Sequence, residues 1–321
     1  MTSAEHVASL NQTFGLPGVL QFEMHPGAPT LDGGLIRAQI TLPGAAATVY
    51  LHGAHLTHFQ PAGQAPVLFL SERSDFAPMK AIRGGIPICF PWFGPYAGGE
   101  VDGKPAPSHG FARLLPWQVA FAALLPSSKH AEDDLLQLTL LLEPDPGGYT
   151  RLFGWDRFRL TCEFTIGRTL TMRLSALNLG DKPLRLEEAL HSYFHVGDVR
   201  ETTITGLEGA LYLDKRDEMR EKHAPDSPLR LTAATDRVFP GNTAAMQIQD
   251  EVLKRTIRLT KENSATTVVW NPWAELATSL KDLDSSAWQR FVCVEAANAG
   301  ADGLQLEPQQ AHTVQLTIST E

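Results

Sequence analysis

Residues Arg157–Phe194 read RFRLTCEFTIGRTLTMRLSALNLGDKPLRLEEALHSYF, and their alternation decides the fold class. Side chains two apart on a strand share a face. Leu160, Cys162, Phe164 and Ile166 fall on one face; Arg157, Arg159, Thr161 and Glu163 fall on the other. After a turn near Gly167, Leu170, Met172 and Leu174 repeat the apolar face against Thr169, Thr171 and Arg173. A second turn at Asn178–Pro183 leads into a run where Leu184, Leu186, Leu190 and Phe194 are the apolar partners. The pattern predicts three consecutive antiparallel strands. The polar face of the third carries Arg185, Glu187, His191, Tyr193 and His195. A solvated outer face is one reading. Clustered imidazoles and a phenol suit a polar groove, which is the other.

The same reading extends outward. Residues 48–59 (TVYLHGAHLTHF) alternate, and 134–143 (DLLQLTLLLE) form a short apolar run. Long stretches of helical period are absent; 279–291 (SLKDLDSSAWQRF) has room for a short turn or helix. No long repeat or low-complexity linker divides the chain. A hydrophobic share of 43% over 321 residues supplies a sizeable core. The expected fold is all-β, a large antiparallel β-sandwich. We expect a single domain over 1–321, with 1–29 as a peripheral N-terminal segment.

Composition narrows the function. A net charge of −9 repels nucleic acid and anionic lipid, so neither is an expected partner. An anionic small molecule would need a local basic patch. Cys89, Cys162 and Cys293 form no CxxC pair, which argues against a disulfide framework or structural zinc and fits a reducing compartment. The N-terminal residues lack a basic, apolar leader pattern, and no run approaches the roughly 18 apolar residues of a membrane span. The expected setting is the cytoplasm.

Several residues could carry chemistry. His191 has the side chain suited to proton transfer near neutral pH, although a lone histidine is more often structural. His195, four residues on, is read as structural. Glu295 follows the buried-strand run FVCV, where a carboxylate is costly unless solvated, paired or used. His52, His55 and His58 alternate faces on one short strand and cannot converge on a metal without a bend. Residues 82–105 (IRGGIPICFPWFGPYAGGEVDGKP) form a glycine-rich loop, but Pro87, Pro91 and Pro95 exclude a helix-linked nucleotide cradle. Arg83 in that loop and Arg113 in PSHGFARLLPW (107–117) could grip an anion or sit in surface ion pairs. No GxSxG motif is present.

In order along the chain, IRGGIPICFPWFGP, SHGFAR, ALHSYFHVGD, DRVF and FVCVEAAN resemble the aldose 1-epimerases, and among them the glucose-6-phosphate 1-epimerases. The resemblance runs from about Thr30 to Thr317. It implies the galactose-mutarotase-like supersandwich, an isomerase activity and no metal or other cofactor. Carried over by motif, His191 is the general acid and Glu295 the general base. Arg83, Arg113 and Asp236 fall at substrate-binding positions, with a sugar phosphate as the target, and His109 is available to contact the substrate or support the pocket. Many relatives have glutamine where this chain has Ser108, so a contact from Ser108 is an open position. The expected reaction is interconversion of the α and β anomers of a hexose 6-phosphate, by a monomer. Unphosphorylated aldoses are the alternative substrates, and a non-catalytic sugar-binding module is the alternative class. A glycosidase pairing Glu295 with Glu188 or Asp236 is a third reading. It is weakened because alternation puts Glu188 on the face away from His191.

Overall fold

The computed structural model describes residues 2–25 and 34–321. Two large antiparallel sheets, of nine and eight strands, dominate it. The hairpin read from the sequence lies within the nine-stranded sheet. Phe158–Ile166 pairs with Leu170–Asn178 in unbroken register, Cys162 opposite Leu174. Its flanks are Leu135–Leu142 and Ala311–Thr320. The apolar faces of the two sheets meet in one core that includes Phe164, Leu174, Val314, Leu190, Val292 and Val294. Each such fully buried side chain contributes about 1.5–3 kcal/mol relative to exposure.

The third run departs from the expected meander. It is three short strands, Leu184–Leu186, Glu188–Leu190 and Tyr193–His195, and none pairs with Leu170–Asn178. The turn explains the departure. Asn178 Nδ2 donates to the carbonyls of Lys182 and Leu306, and its Oδ1 accepts from Gly180 N, which carries the chain across to the other sheet. There the second and third pieces run along Phe291–Asn298. Glu188 lies opposite Asn298, Leu190 opposite Ala296 and Tyr193 opposite Cys293. The ladder breaks only at His191 and Ser192, where the chain kinks. His191 N donates to Pro87 O at 3.1 Å, and Ser192 N to Leu190 O at 2.9 Å. The register on either side therefore sets His191 across from Glu295.

The segment expected to be peripheral, 1–29, is largely built into the fold where it is described. A helix, Ser3–Phe14, starts at a capping box between Thr2 and Glu5. Strand Leu20–Met24 then pairs with Ile36–Thr41. Leu20 and Phe22 are buried, because an alternating strand laid on a sheet sends one face inward. Residues 279–291 hold a short 3₁₀ turn, Ala287–Arg290, ahead of strand Phe291–Asn298. The histidines weighed as metal ligands point to separate places: His52 Nε2 bonds Lys80 O at 2.6 Å, and His55 Nε2 bonds Gly84 O at 2.7 Å. Among the described residues no helix is long and apolar enough to cross a membrane.

Candidate active site

A pocket of about 140 Å³ opens on the face of the eight-stranded sheet turned away from the core. Its floor is two adjacent rows across neighbouring strands. In one, Asp236 pairs with Trp270, Trp270 with Cys293 and Cys293 with Tyr193; in the next, Val268 pairs with Glu295, which faces His191. Side chains two apart on a strand share a face, so register brings the two rows onto one surface. Lys215 follows the strand Leu211–Asp214 and is held beside Asp236, since its backbone N donates to Asp236 O at 3.0 Å. Arg83, Phe93, His109 and Tyr193 complete the wall. A larger hollow, about 680 Å³, lies elsewhere between His6, Leu10, Trp117 and Asp145 and holds no comparable acid–base pair.

The loop Ile82–Pro105 reaches the pocket because of its glycines. Gly84 has φ +114° and Gly85 +61°, and a Cβ on them would lie 2.4 Å from Phe69 O and 2.3 Å from Leu56 O, respectively. Only glycine lets the backbone pass this close. The passage places Arg83 beside Tyr193: its Nη1 donates to the Tyr193 hydroxyl at 3.0 Å. Behind it, Arg83 Nη2 lies 3.0 Å from Asp282 Oδ2.

At the centre, His191 Nε2 and Glu295 Oε1 are 3.3 Å apart. Glu295 is only 1% exposed. Burial pushes its carboxyl well above the usual range; the nearby Asp236 adds to this, and Lys215 and Arg113 oppose it. Burial also holds His191 well below the usual imidazole range, helped by the positive charges of Arg113 and Arg83. Both shifts favour the neutral pair, with the proton on Glu295, over an ion pair. Glu295 Oε2 and His191 Nδ1 are buried without a protein hydrogen-bond partner. The imidazole is positioned by aromatic contacts: Tyr193 stacks on it at 4.9 Å and 10°, and Trp270 meets it edge-on at 6.2 Å. His109 approaches it at 5.6 Å, and burial holds that imidazole neutral as well.

The structure thus brings together five of the residues singled out by sequence: His191, Glu295, Arg83, His109 and Asp236. Two it does not. Ser108 is exposed, and its carbonyl accepts from Arg113 Nη2 at 2.7 Å, so neither side chain lines the pocket. The cause is backbone geometry. His109 and Gly110 both have positive φ, 61° and 74°, which turns His109 inward and leaves its neighbours to face each other. The charge of Arg113 still reaches His191 and lowers its pKa. Lys215, Trp270 and Phe93 were not identified from sequence. Lys215 lies in LDKRDE, which reads as an ordinary solvated turn. In the fold its Nζ is 3.1 Å from Asp236 Oδ2 and 5.6 Å from the Phe93 ring centre.

The acid–base pair with flanking cations can move a proton between two oxygens of one bound molecule. Comparison with known proteins agrees. The sequence profile of the aldose 1-epimerases matches residues 38–319. A Salmonella typhimurium protein provisionally named glucose-6-phosphate 1-epimerase is 35% identical over 303 residues, 94% of each chain. An Escherichia coli protein of the same provisional name is 34% identical over 306 residues, 95% of this chain and 97% of its own. The crystal structure of a provisionally named mutarotase from Salmonella typhimurium matches with TM-score 0.82 and 32% identity, covering 96% of this chain and 95% of that one. Galactose 1-epimerase from Lactobacillus acidophilus shares the fold, with TM-score 0.69 at 15% identity over 94% of this chain and 98% of that one. From this match and the arrangement of the pocket, the chain belongs to the aldose 1-epimerase family.

Proposed function

We propose that the protein interconverts the α and β anomers of a hexose 6-phosphate, glucose 6-phosphate first among them. The observation that carries this reading is the buried contact between His191 and Glu295 at 3.3 Å, with two cations, Arg83 and Lys215, on the wall of the same pocket. Mutarotation needs one group to take the proton of the anomeric hydroxyl and another to protonate the ring oxygen. Passing the shared proton from Glu295 to His191 Nε2 creates the required carboxylate and imidazolium, whose opposite charges attract at contact distance. Glu295 then removes the proton from O1 and His191 gives its proton to the ring oxygen. The C1–O5 bond breaks and the open-chain aldehyde forms. Rotation about C1–C2 presents the other face, and the reverse transfers close the ring. No electron leaves the sugar, and every proton is returned.

The pocket is smaller than the roughly 300–1,000 Å³ of sites for drug-sized ligands. It suits one sugar ring, with the phosphate toward Arg83 and Lys215 and the hydroxyls toward Asp236 and His109. An unphosphorylated aldose is the second reading. It is favoured by the fact that each of these cations already holds a carboxylate. Exchange NMR between the anomers of glucose 6-phosphate and of glucose separates the two. We expect faster catalysed exchange of the phosphorylated sugar; equal rates would assign the enzyme to free aldoses. No catalysed exchange of either sugar would leave the non-catalytic binding module. The same reading takes the protein as a single-domain cytoplasmic monomer, which sedimentation of the pure chain checks for the oligomeric state.

A further inference from the structure

Asp282 does not line the pocket, yet it holds the guanidinium that does. Arg83 Nε and Nη2 point at the same oxygen, Asp282 Oδ2, at 3.1 and 3.0 Å. Nη1 donates to Tyr193. A guanidinium has five N–H donors, so two remain for a ligand. One residue braces both partners from behind. Ser71 N donates to Arg83 O at 2.9 Å, and Ser71 Oγ donates to Asp282 O at 2.7 Å. Leu283, next in the loop, is 1% exposed and anchors it in the core. The carboxylate is therefore a fixed part of the wall, set behind the arginine.

We propose that Asp282 is a specificity-determining residue: its charge offsets that of Arg83 and sets how strongly the pocket prefers a phosphorylated sugar to a neutral one. This rests on the mutarotase reading in which Arg83 faces the substrate's anionic end. A phosphate brought to the two free N–H groups is attracted by Arg83 and repelled by Asp282 beyond it. The side chains are 24% and 28% exposed, so water damps the repulsion without removing it. A neutral sugar feels almost none of it. The compensated arginine recognises phosphate by direction and hydrogen bonding while limiting non-selective retention of anions.

Asp282→Asn tests this, because it keeps the size and an acceptor oxygen for Arg83 and deletes the charge. Calorimetric titration with glucose 6-phosphate and with inorganic phosphate should show binding tighter by roughly 3- to 10-fold. The ratio of kcat/KM for glucose 6-phosphate to that for glucose should rise by a similar factor. Unchanged or weaker anion binding by the variant overturns the proposal, and weaker binding would mean that Asp282 only aims Arg83. Failure of the unaltered protein to bind either anion overturns it too. Titration does not require turnover. Binding without anomer exchange would contradict the proposed reaction alone and still decide the role of Asp282.

Discussion

Two histidine–glutamate pairs lie on opposite faces of the ribbon formed by residues 188–195 and Phe291–Asn298, and they sit in different electrostatic surroundings. On the pocket face, His191 and Glu295 are 3.3 Å apart. On the core face, Glu188 meets His312 from the other sheet at 3.0 Å. Each glutamate leaves its Oε2 without a partner, so an orphaned oxygen is not what distinguishes them. The surroundings are. Glu188 Oε1 also accepts from Asn298 Nδ2 at 2.9 Å, and Asn298 Nδ2 is placed by Asn263 O as well. His312 is 20% exposed at its side chain, and its bond to Glu188 raises its pKa against the opposing effect of burial. That arrangement favours a protonated His312. Burial holds His191 neutral, helped by the positive charges of Arg113 and Arg83. The same two residue types thus make a cross-sheet clamp on one face and a proton-exchange pair on the other.

Glutamine in place of each glutamate breaks the comparison most sharply. The largest effect expected is on rate: Glu295→Gln should slow glucose 6-phosphate anomer exchange by about 10²–10⁴-fold, the usual worth of an acid–base group. Glu188→Gln should leave exchange within a few-fold of the unaltered protein, since its carboxylate points away from the pocket. A loss shared equally by both would show that strand integrity, not proton transfer, is what NMR exchange reports.

Stability should move in opposite directions. Glu188→Gln strands the partly exposed His312 without its carboxylate and should cost about 2–3 kcal/mol in urea unfolding. Glu295→Gln should gain about 1 kcal/mol near pH 7. Its folded carboxyl is raised, whereas in the unfolded chain it ionises near 4.3. Above that pH the group favours the unfolded chain, and glutamine removes the penalty. A destabilised Glu295→Gln would mean that the pair rests as an ion pair.

The smallest effect concerns pH. His312 is raised in the folded protein, so its contribution is complete below the unfolded value of about 6.5 and is lost as pH rises through the folded pKa. The groups facing it are Glu188, Asn298 and Asn263. The stability gap between the unaltered protein and His312→Gln should be widest below pH 6.5 and close at alkaline pH. A gap that widens toward alkaline pH would contradict a clamp held by protonated histidine.

The parts of the molecule readable in advance were those governed by local period or compact motif. The buried faces of Phe158–Ile166 and Leu170–Asn178 follow from alternation, and His191 and Glu295 stood out in their motifs. The third strand was misplaced because alternation states which face is apolar and nothing about the partner. Its partner lies about a hundred residues on. Lys215 and Asp282 were hidden in charged runs whose chemistry depends on what the fold sets opposite them. The directions of Ser108 and Arg113 were not legible, because positive φ at His109 and Gly110 shapes the turn between them, which no periodicity reveals. The N-terminal helix did have a visible signal, Thr2 followed three residues later by Glu5, and it was passed over.

The central claim is that His191 and Glu295 act as one proton-exchange unit on one sugar ring. Exchange NMR of glucose 6-phosphate with His191→Asn, Glu295→Gln and the double variant tests it most directly. Groups that work as a unit are strongly non-additive. We predict that the double variant is about as slow as either single one. Single losses that multiply in the double variant, or a single variant that exchanges at the unaltered rate, would contradict the account.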